Sequence, residues 1–359
     1  MALQVATDLD FLSANLHGRR SRMAEAERLD HLSRLRSVAE LARVLYPEGG
    51  FLTASHLQRV LVLEQVEELS AIAAKVRGPA GRLLDWLRVR FQMEDLKVLA
   101  RGFAQGMGLK ELQPHLVPLP DDLALDVKAL ASAGSIEAFA AACPTGPLRE
   151  GMRRAADLYN RKPRPFFVEA GMDHGYLAEL LARSRALPRG QRGGVLEIAR
   201  QEADTFHLVL AARGRFHYAL GPEMLAPFHV PGARLDRDRF ARLLAAEDLG
   251  AVAAAVTGLA IDGLPTGPDR PAGEPDPALL ETLAWERYWR LANRTFRLSH
   301  MGLGAVVAYT AIRRVELANL IRLSEGIRSG LSPEAIRCRL IPRPGLVPAR
   351  AAPGEAARV

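Results

Sequence analysis

Apolar and polar positions alternate at helical spacing along almost the whole chain. Residues 12–46 set Leu, Met, Ala and Val at helical intervals among many charges, until Pro47, Glu48, Gly49 and Gly50 break the pattern. Thr53 or Ser55 predicts the N-cap of a long helix reaching about Val76, stopped by Arg77, Gly78 and Pro79. The next helix carries Leu83, Leu84, Trp86 and Leu87 and continues through Glu94; Pro118 and Pro120 close this first third. In the second third, Asp121 and Asp122 open a helix over 123–131 and Ser135 caps another over 136–142. A further helix over 148–159 follows the loop 143–147. The Arg-Lys-Pro-Arg-Pro run at 161–165 excludes regular helix. Helices are then expected over 166–182 and, after a break at 188–190, through Glu202, with Pro227 and Pro231 as the stop. The last third offers helices over 236–245 and 249–259, a proline- and glycine-rich loop at 263–277, and a helix over 278–298 with Trp285, Tyr288 and Trp289. After Gly302 and Gly304 a helix runs through Glu316, and the tail beyond Pro344 is expected to be disordered. No run of alternating β-branched residues predicts a strand, so the expected fold is all-α.

The final helix belongs to a pattern that occurs more than once. Residues 313–342 read as an amphipathic helix with Glu316 and Asn319 on one face, a stop at Gly330, a short helix capped by Ser332 with Pro333 first, and Pro342. Residues 93–118 repeat the design, with Glu94 and Lys97 in those places and Gly108 at the same spacing from the glutamate as Gly330. Residues 202–231 are a looser copy, with Glu202 and a slightly delayed Gly221. Three copies predict a triplicated helical protein: repeats at 1–118, 119–231 and 232–345, and a flexible tail at 346–359.

Composition sharpens this picture only in part. Ala, Leu and Arg are heavily used, and all three favour helix. The net charge of +7 comes almost wholly from arginine; five of the 48 basic residues are lysines. The surplus admits nucleic acid, anionic lipid or an acidic protein as partner without choosing among them. Cys143 and Cys338 are too far apart in sequence for a metal-spaced pair and argue against a disulfide framework. The N-terminus shows no basic-then-apolar signal peptide, and the longest apolar run, 249–261, is shorter than the roughly 20 residues that span a bilayer.

Catalytic signatures are missing. There is no Walker A, G-x-S-x-G, H-E-x-x-H or paired C-x-x-C sequence, and the nine histidines are dispersed. The glycine-rich stretch 102–108 ends a helix, whereas phosphate loops precede one. No cofactor or metal is implied. Glu94, Glu202 and Glu316 invite an acid–base reading. Each has a basic residue nearby (Arg90, Arg200 and Arg313), and a carboxylate repeated in pseudo-symmetric copies suits a structural tie better than a single chemical step.

The repeated Glu, Asn or Lys, Gly and Pro pattern of 93–118 and 313–342, with the run GLGAVVAY at 302–309, resembles the C-type stalk component of bacterial and archaeal V-type ATPases and its eukaryotic relative, the V-ATPase d component. The resemblance implies three pseudo-symmetric helical lobes forming a funnel. It implies a non-catalytic rotor protein whose closed end rests on the membrane c ring (built of K or c protomers) and whose open side receives the central D–F axle. It would serve proton or sodium transport as a cytoplasmic protein peripheral to the plasma membrane. The competing reading is a basic helical repeat protein that binds nucleic acid. That requires arginines and stacking aromatics on one surface, for which Trp285, Tyr288, Trp289, Arg287 and Arg290 are the one cluster found, and their spacing also suits an apolar helix face. An unrecognised all-α enzyme is the third possibility.

Overall fold

The computed structural model describes residues 2–49, 53–246, 248, 250 and 277–342. The loop expected at 263–277 up to its last residue, the tail 346–359 and nearly all of the helix expected over 249–259 lie outside the described residues. Among the described residues every regular element is helical. The chain opens with α1 (Ala2–Arg20), α2 (Ala26–Ser33) and α3 (Val38–Leu45), where the sequence pattern read as one continuous stretch. A long hairpin follows, α4 (Ala54–Ala73) and α5 (Gly78–Gln105), then the short α6 (Leu109–Leu112). Next come α7 (Val127–Ala131), α8 (Ile136–Ala142) and α9 (Pro147–Arg161). The second hairpin is α10 (Pro165–Arg185) and α11 (Arg189–Ala211), leading to a π turn at Ala212–His217 and the short α12 (Pro222–Leu225). After α13 (Arg237–Ala245), the third hairpin is α14 (Pro277–Ser299) and α15 (Leu303–Arg328), followed by α16 (Pro333–Arg337).

Local chemistry sets the helix limits. Thr53, Ser135, Asp236 and Ser332 each accept a backbone N–H from the first helical turn, satisfying a donor that has no partner inside the helix. Proline opens α9, α10 and α16, where its missing N–H costs nothing.

Three hydrogen bonds fix the register of the repeat. At the end of each hairpin the chain folds back, and its backbone is tied to the second long helix. Asp95 Oδ1 accepts Val117 N–H at 3.1 Å, His207 Nε2 accepts Val230 N–H at 3.0 Å, and Asn319 Oδ1 accepts Ile341 N–H at 3.0 Å. The separations are 22, 23 and 22 residues. The extra residue of the middle copy sits in the π turn, which widens the helix end by one position. One helical stretch further on, Gly102, Gly214 and Gly326 let the following short helix approach. A Cβ there would overlap Leu112, Leu225 and Ile336 respectively. The helices then end on left-handed residues, Gly106 (φ 66°), Ala219 (φ 50°) and Gly330 (φ 68°).

This register differs by two residues from the one suggested by the glutamates. Gln92 donates to Leu123 O and Asp204 accepts Leu235 N–H, each across 31 residues. Glu316 holds the corresponding place in the third copy and accepts the N–H of Ala24, from the far end of the chain. Its counterparts are therefore Asp204 and Gln92, not Glu202 and Glu94. Gly108 and Gly221 are N-caps of α6 and α12, in the place of Ser332, and are not the counterparts of Gly330. The geometry is kept while the residue type changes, because Asp, His and Asn can all accept one backbone N–H.

Successive hairpins pack in the same way. Arg183 of α10 donates to the carbonyl of Arg82 on α5, across 101 residues. One repeat later, Thr295 of α14 lies against Gly194 of α11. Trp86 Nε1 donates to Tyr176 O at 2.9 Å inside a shared core that includes Leu83, Met172, Leu181, Val195, Val306 and Ile312.

Candidate functional site

At the centre, the same position of each hairpin contributes one charged side chain. Arg90 on α5, Glu202 on α11 and Arg314 on α15 are spaced 112 residues apart, and both guanidinium groups reach Glu202 Oε1. Arg314 Nη1 lies 2.8 Å from it, and Arg90 donates to it directly. Arg90 stacks over Tyr176 (4.7 Å to the ring centre) and donates to its hydroxyl at 3.1 Å. Arg314 stacks over Trp285 at 4.5 Å and sits within 5.8 Å of the Tyr288 ring. Tyr176 and Tyr288 are again one repeat apart, so α10 and α14 supply matching walls. Glu202 is 5% exposed, and burial alone would favour its neutral form. Arg314 and Arg90 outweigh burial and hold its carboxyl below the usual carboxylate range. Burial, with the Glu202 carboxylate second, pushes the Tyr288 phenol up to about 12. A carboxylate held ionised by two arginines ties three helices together and is unsuited to shuttle a proton near neutrality.

The other candidate residues are placed differently. Glu94 lines the cleft beside the triad, its side chain 54% exposed, and pairs with Lys97 at 3.2 Å. Lys97 is buried and also bridges to Asp173 of α10 at 2.7 Å. Arg200 turns to Glu197, not to Glu202. Glu316 pairs with Arg313, as its spacing suggests, and Arg313 also reaches Glu68 of α4 at 2.8 Å. Glu68 accepts in addition from Tyr309 (2.7 Å) and Arg19 (2.9 Å). This second cluster joins the first hairpin to the third, where no chain connection closes the set. Gly108, Gly221 and Gly330 lie at helix ends, away from both clusters.

Between α4, α5 and α15 a cleft of about 390 Å³ opens beside the triad. Its walls are apolar, with Val62, Leu69, Phe91, Leu317 and Ile321, and the triad residues also line it. Asp95 faces the same cleft. Burial pushes its carboxyl up to about 7, against the Val117 N–H bond and with help from neighbouring Glu94. Among the described residues no group of three or more His, Cys, Asp and Glu could hold a metal. Cys143 is buried, and burial pushes its thiol up to about 12. His207 and His229 stack with ring centres 5.3 Å apart, and burial lowers His207 well below the ordinary histidine range and His174 to about 4.

Sequence reasoning missed Arg90 and Arg314 as partners of Glu202. The signal was present, since two arginines stand symmetrically either side of a glutamate at one repeat length, but it appears only when the period is 112.

Long helical hairpins tied at their centre by charges define an all-α helical protein. The profile of the ATP synthase (C/AC39) subunit family matches residues 12–339, and the chain belongs to that family, one of the component families of rotary ATP synthases. It is similar to the C component of the V-type ATP synthase of Deinococcus radiodurans, 24% identical over 250 residues, which covers 66% of this chain and 67% of that protein. Among the described residues no helix is long and apolar enough to cross a membrane.

Proposed function

We propose that this chain is a non-catalytic rotor component, a socket that couples the D–F axle of a V-type ATPase to the membrane c ring during proton or sodium transport. In this reading the three repeats are lobes about a pseudo-threefold axis near Glu202, and together they form a funnel. The protein works at the cytoplasmic face of the membrane as a peripheral component. The observation that carries the proposal is the Arg90–Glu202–Arg314 triad, in which one position of all three copies meets. Torque transfer needs a stiff body with a broad grip and no reactive group. A triad in which two arginines hold one buried carboxylate supplies stiffness, and the largely apolar cleft beside it offers the kind of groove that accepts an amphipathic helix. A pull-down of the purified chain with the D–F axle, and separately with detergent-solubilised c ring, tests the arrangement. Binding to both supports the socket. Binding to neither, together with tight salt-sensitive binding to RNA or DNA, overturns it in favour of the nucleic-acid reading.

A further inference from the structure

The three hairpin turns lie at one end of the molecule. The contacts Arg82 with Arg183 and Gly194 with Thr295 are the same contact one repeat apart, each a few residues from a turn, so the turns stand side by side. α1 reaches this end too, since Ser13 Oγ accepts the N–H of Gly302 at 3.0 Å and His17 bonds His300 O at 2.9 Å. Positive charge predominates here. Lys75, Arg77, Arg82, Arg189, Arg294 and Arg297 cluster at the three turns, all exposed, and none forms an ion pair among the described residues. The acids near this end are Glu68, Asp85 and Glu197, which face arginines, and Asp10, which is exposed beside Phe11 on α1.

Apolar exposure coincides with this charge. Phe11, Leu298 and Met301 are 70%, 68% and 47% exposed, the three most exposed large apolar side chains among the described residues. Leu298 lies in the last turn of α14 and Met301 in the connection that follows, with Arg294 and Arg297 just before them; Phe11 lies within one helical turn of the Ser13–Gly302 contact. Unpaired cations around protruding apolar groups suit an interface between water and an anionic bilayer. The arginines meet lipid phosphates while the apolar tips enter the headgroup region.

We infer that the hairpin-turn end is a membrane-contact face that binds anionic phospholipid headgroups directly, and that it orients the protein with its turns toward the bilayer. The inference rests on the rotor reading only for which membrane is at hand. The full-length chain is to be sedimented with vesicles of phosphatidylcholine alone and of phosphatidylcholine containing about a third phosphatidylglycerol, at low and high salt. Binding is expected only with the anionic vesicles and weakens with salt. Arg294→Gln with Arg297→Gln lowers affinity about 30-fold, at roughly fivefold per charge. Leu298→Ser with Met301→Ser also weakens it. Equal binding to neutral vesicles, or no loss in the arginine pair, overturns the inference. So does a parent chain that ignores vesicles while the arginine pair loses the detergent-solubilised ring, because the face then contacts ring protein. Axle binding measured in parallel separates the two readings: a chain that binds anionic vesicles but not the axle refutes the socket and keeps the lipid face.

Discussion

Replacing Glu202 with Gln removes the one negative charge of the central triad and keeps its shape. Arg90 and Arg314 would then face each other with side chains only 12% and 25% exposed. Removing one member of a buried charge group costs roughly 3–5 kcal/mol, mostly because the remaining charges stay buried and uncompensated. Guanidinium denaturation followed by circular dichroism reads this as a lower midpoint. The geometry allows a sharper arm: since the three positions are equivalent, moving the glutamate should be tolerated. Arg90→Glu with Glu202→Arg rebuilds an arginine–glutamate–arginine group with the carboxylate on α5, and is expected to recover more than half of the Gln variant's loss. Replacing all three residues with apolar ones of similar volume should cost little or even stabilise the fold. The pH dependence follows from the lowered Glu202 pKa. Its stabilisation is present above the ordinary glutamate pKa and disappears as pH falls through the lower folded value. A Gln variant within about 0.5 kcal/mol of the parent, the scatter of ordinary surface changes, would refute the reasoning.

Asp95→Asn keeps an acceptor for Val117 N–H and copies Asn319 of the third repeat. With the folded pKa near 7, the cost of burying the charge is absent in strong acid and complete above about pH 7, so the variant should gain about 1–2 kcal/mol at pH 8 and much less at pH 5 by thermal unfolding. His174 and His207 act in the opposite direction. Their folded pKa values lie below the ordinary one, so stability should fall by up to about 1.4 kcal/mol per pH unit for each as pH drops from 6.5 toward 4, and unfolding curves across that window check it. Ala219→Gly places glycine at a left-handed helix end and should stabilise the protein by about 1 kcal/mol; an unchanged or lower melting temperature would contradict the assigned C-terminal turn.

The all-α class and most helix limits were legible because they depend on local chemistry. Thr53, Ser135 and Ser332 cap where their side chains and neighbours say they should, and Gly330 ends α15. The glutamate register read from the sequence is not the one that the backbone ties follow. The eye follows identical letters, and Glu94, Glu202 and Glu316 stand out. The fold instead preserves an acceptor for one N–H, filled by Asp95, His207 and Asn319, and a close approach at Gly102, Gly214 and Gly326. The middle copy was further hidden by its π turn, which inserts one residue, and by Ala219 in a place where glycine is usual. The pairing of Glu202 with Arg90 and Arg314 crosses hairpins, and nothing within a local window encodes it. The charge of the hairpin turns was visible as scattered arginines, and only the side-by-side packing of the turns gathers them at one end.

The socket reading is tested most directly by ion pumping in the rotary complex. Complexes assembled without this protein are to be compared with those reconstituted with the purified chain, measuring ATP hydrolysis by the soluble head and ATP-driven ion uptake into vesicles. The account expects hydrolysis to persist without the chain, uptake to vanish, and uptake to return on its addition. Uptake that proceeds undiminished in the chain's absence would contradict it.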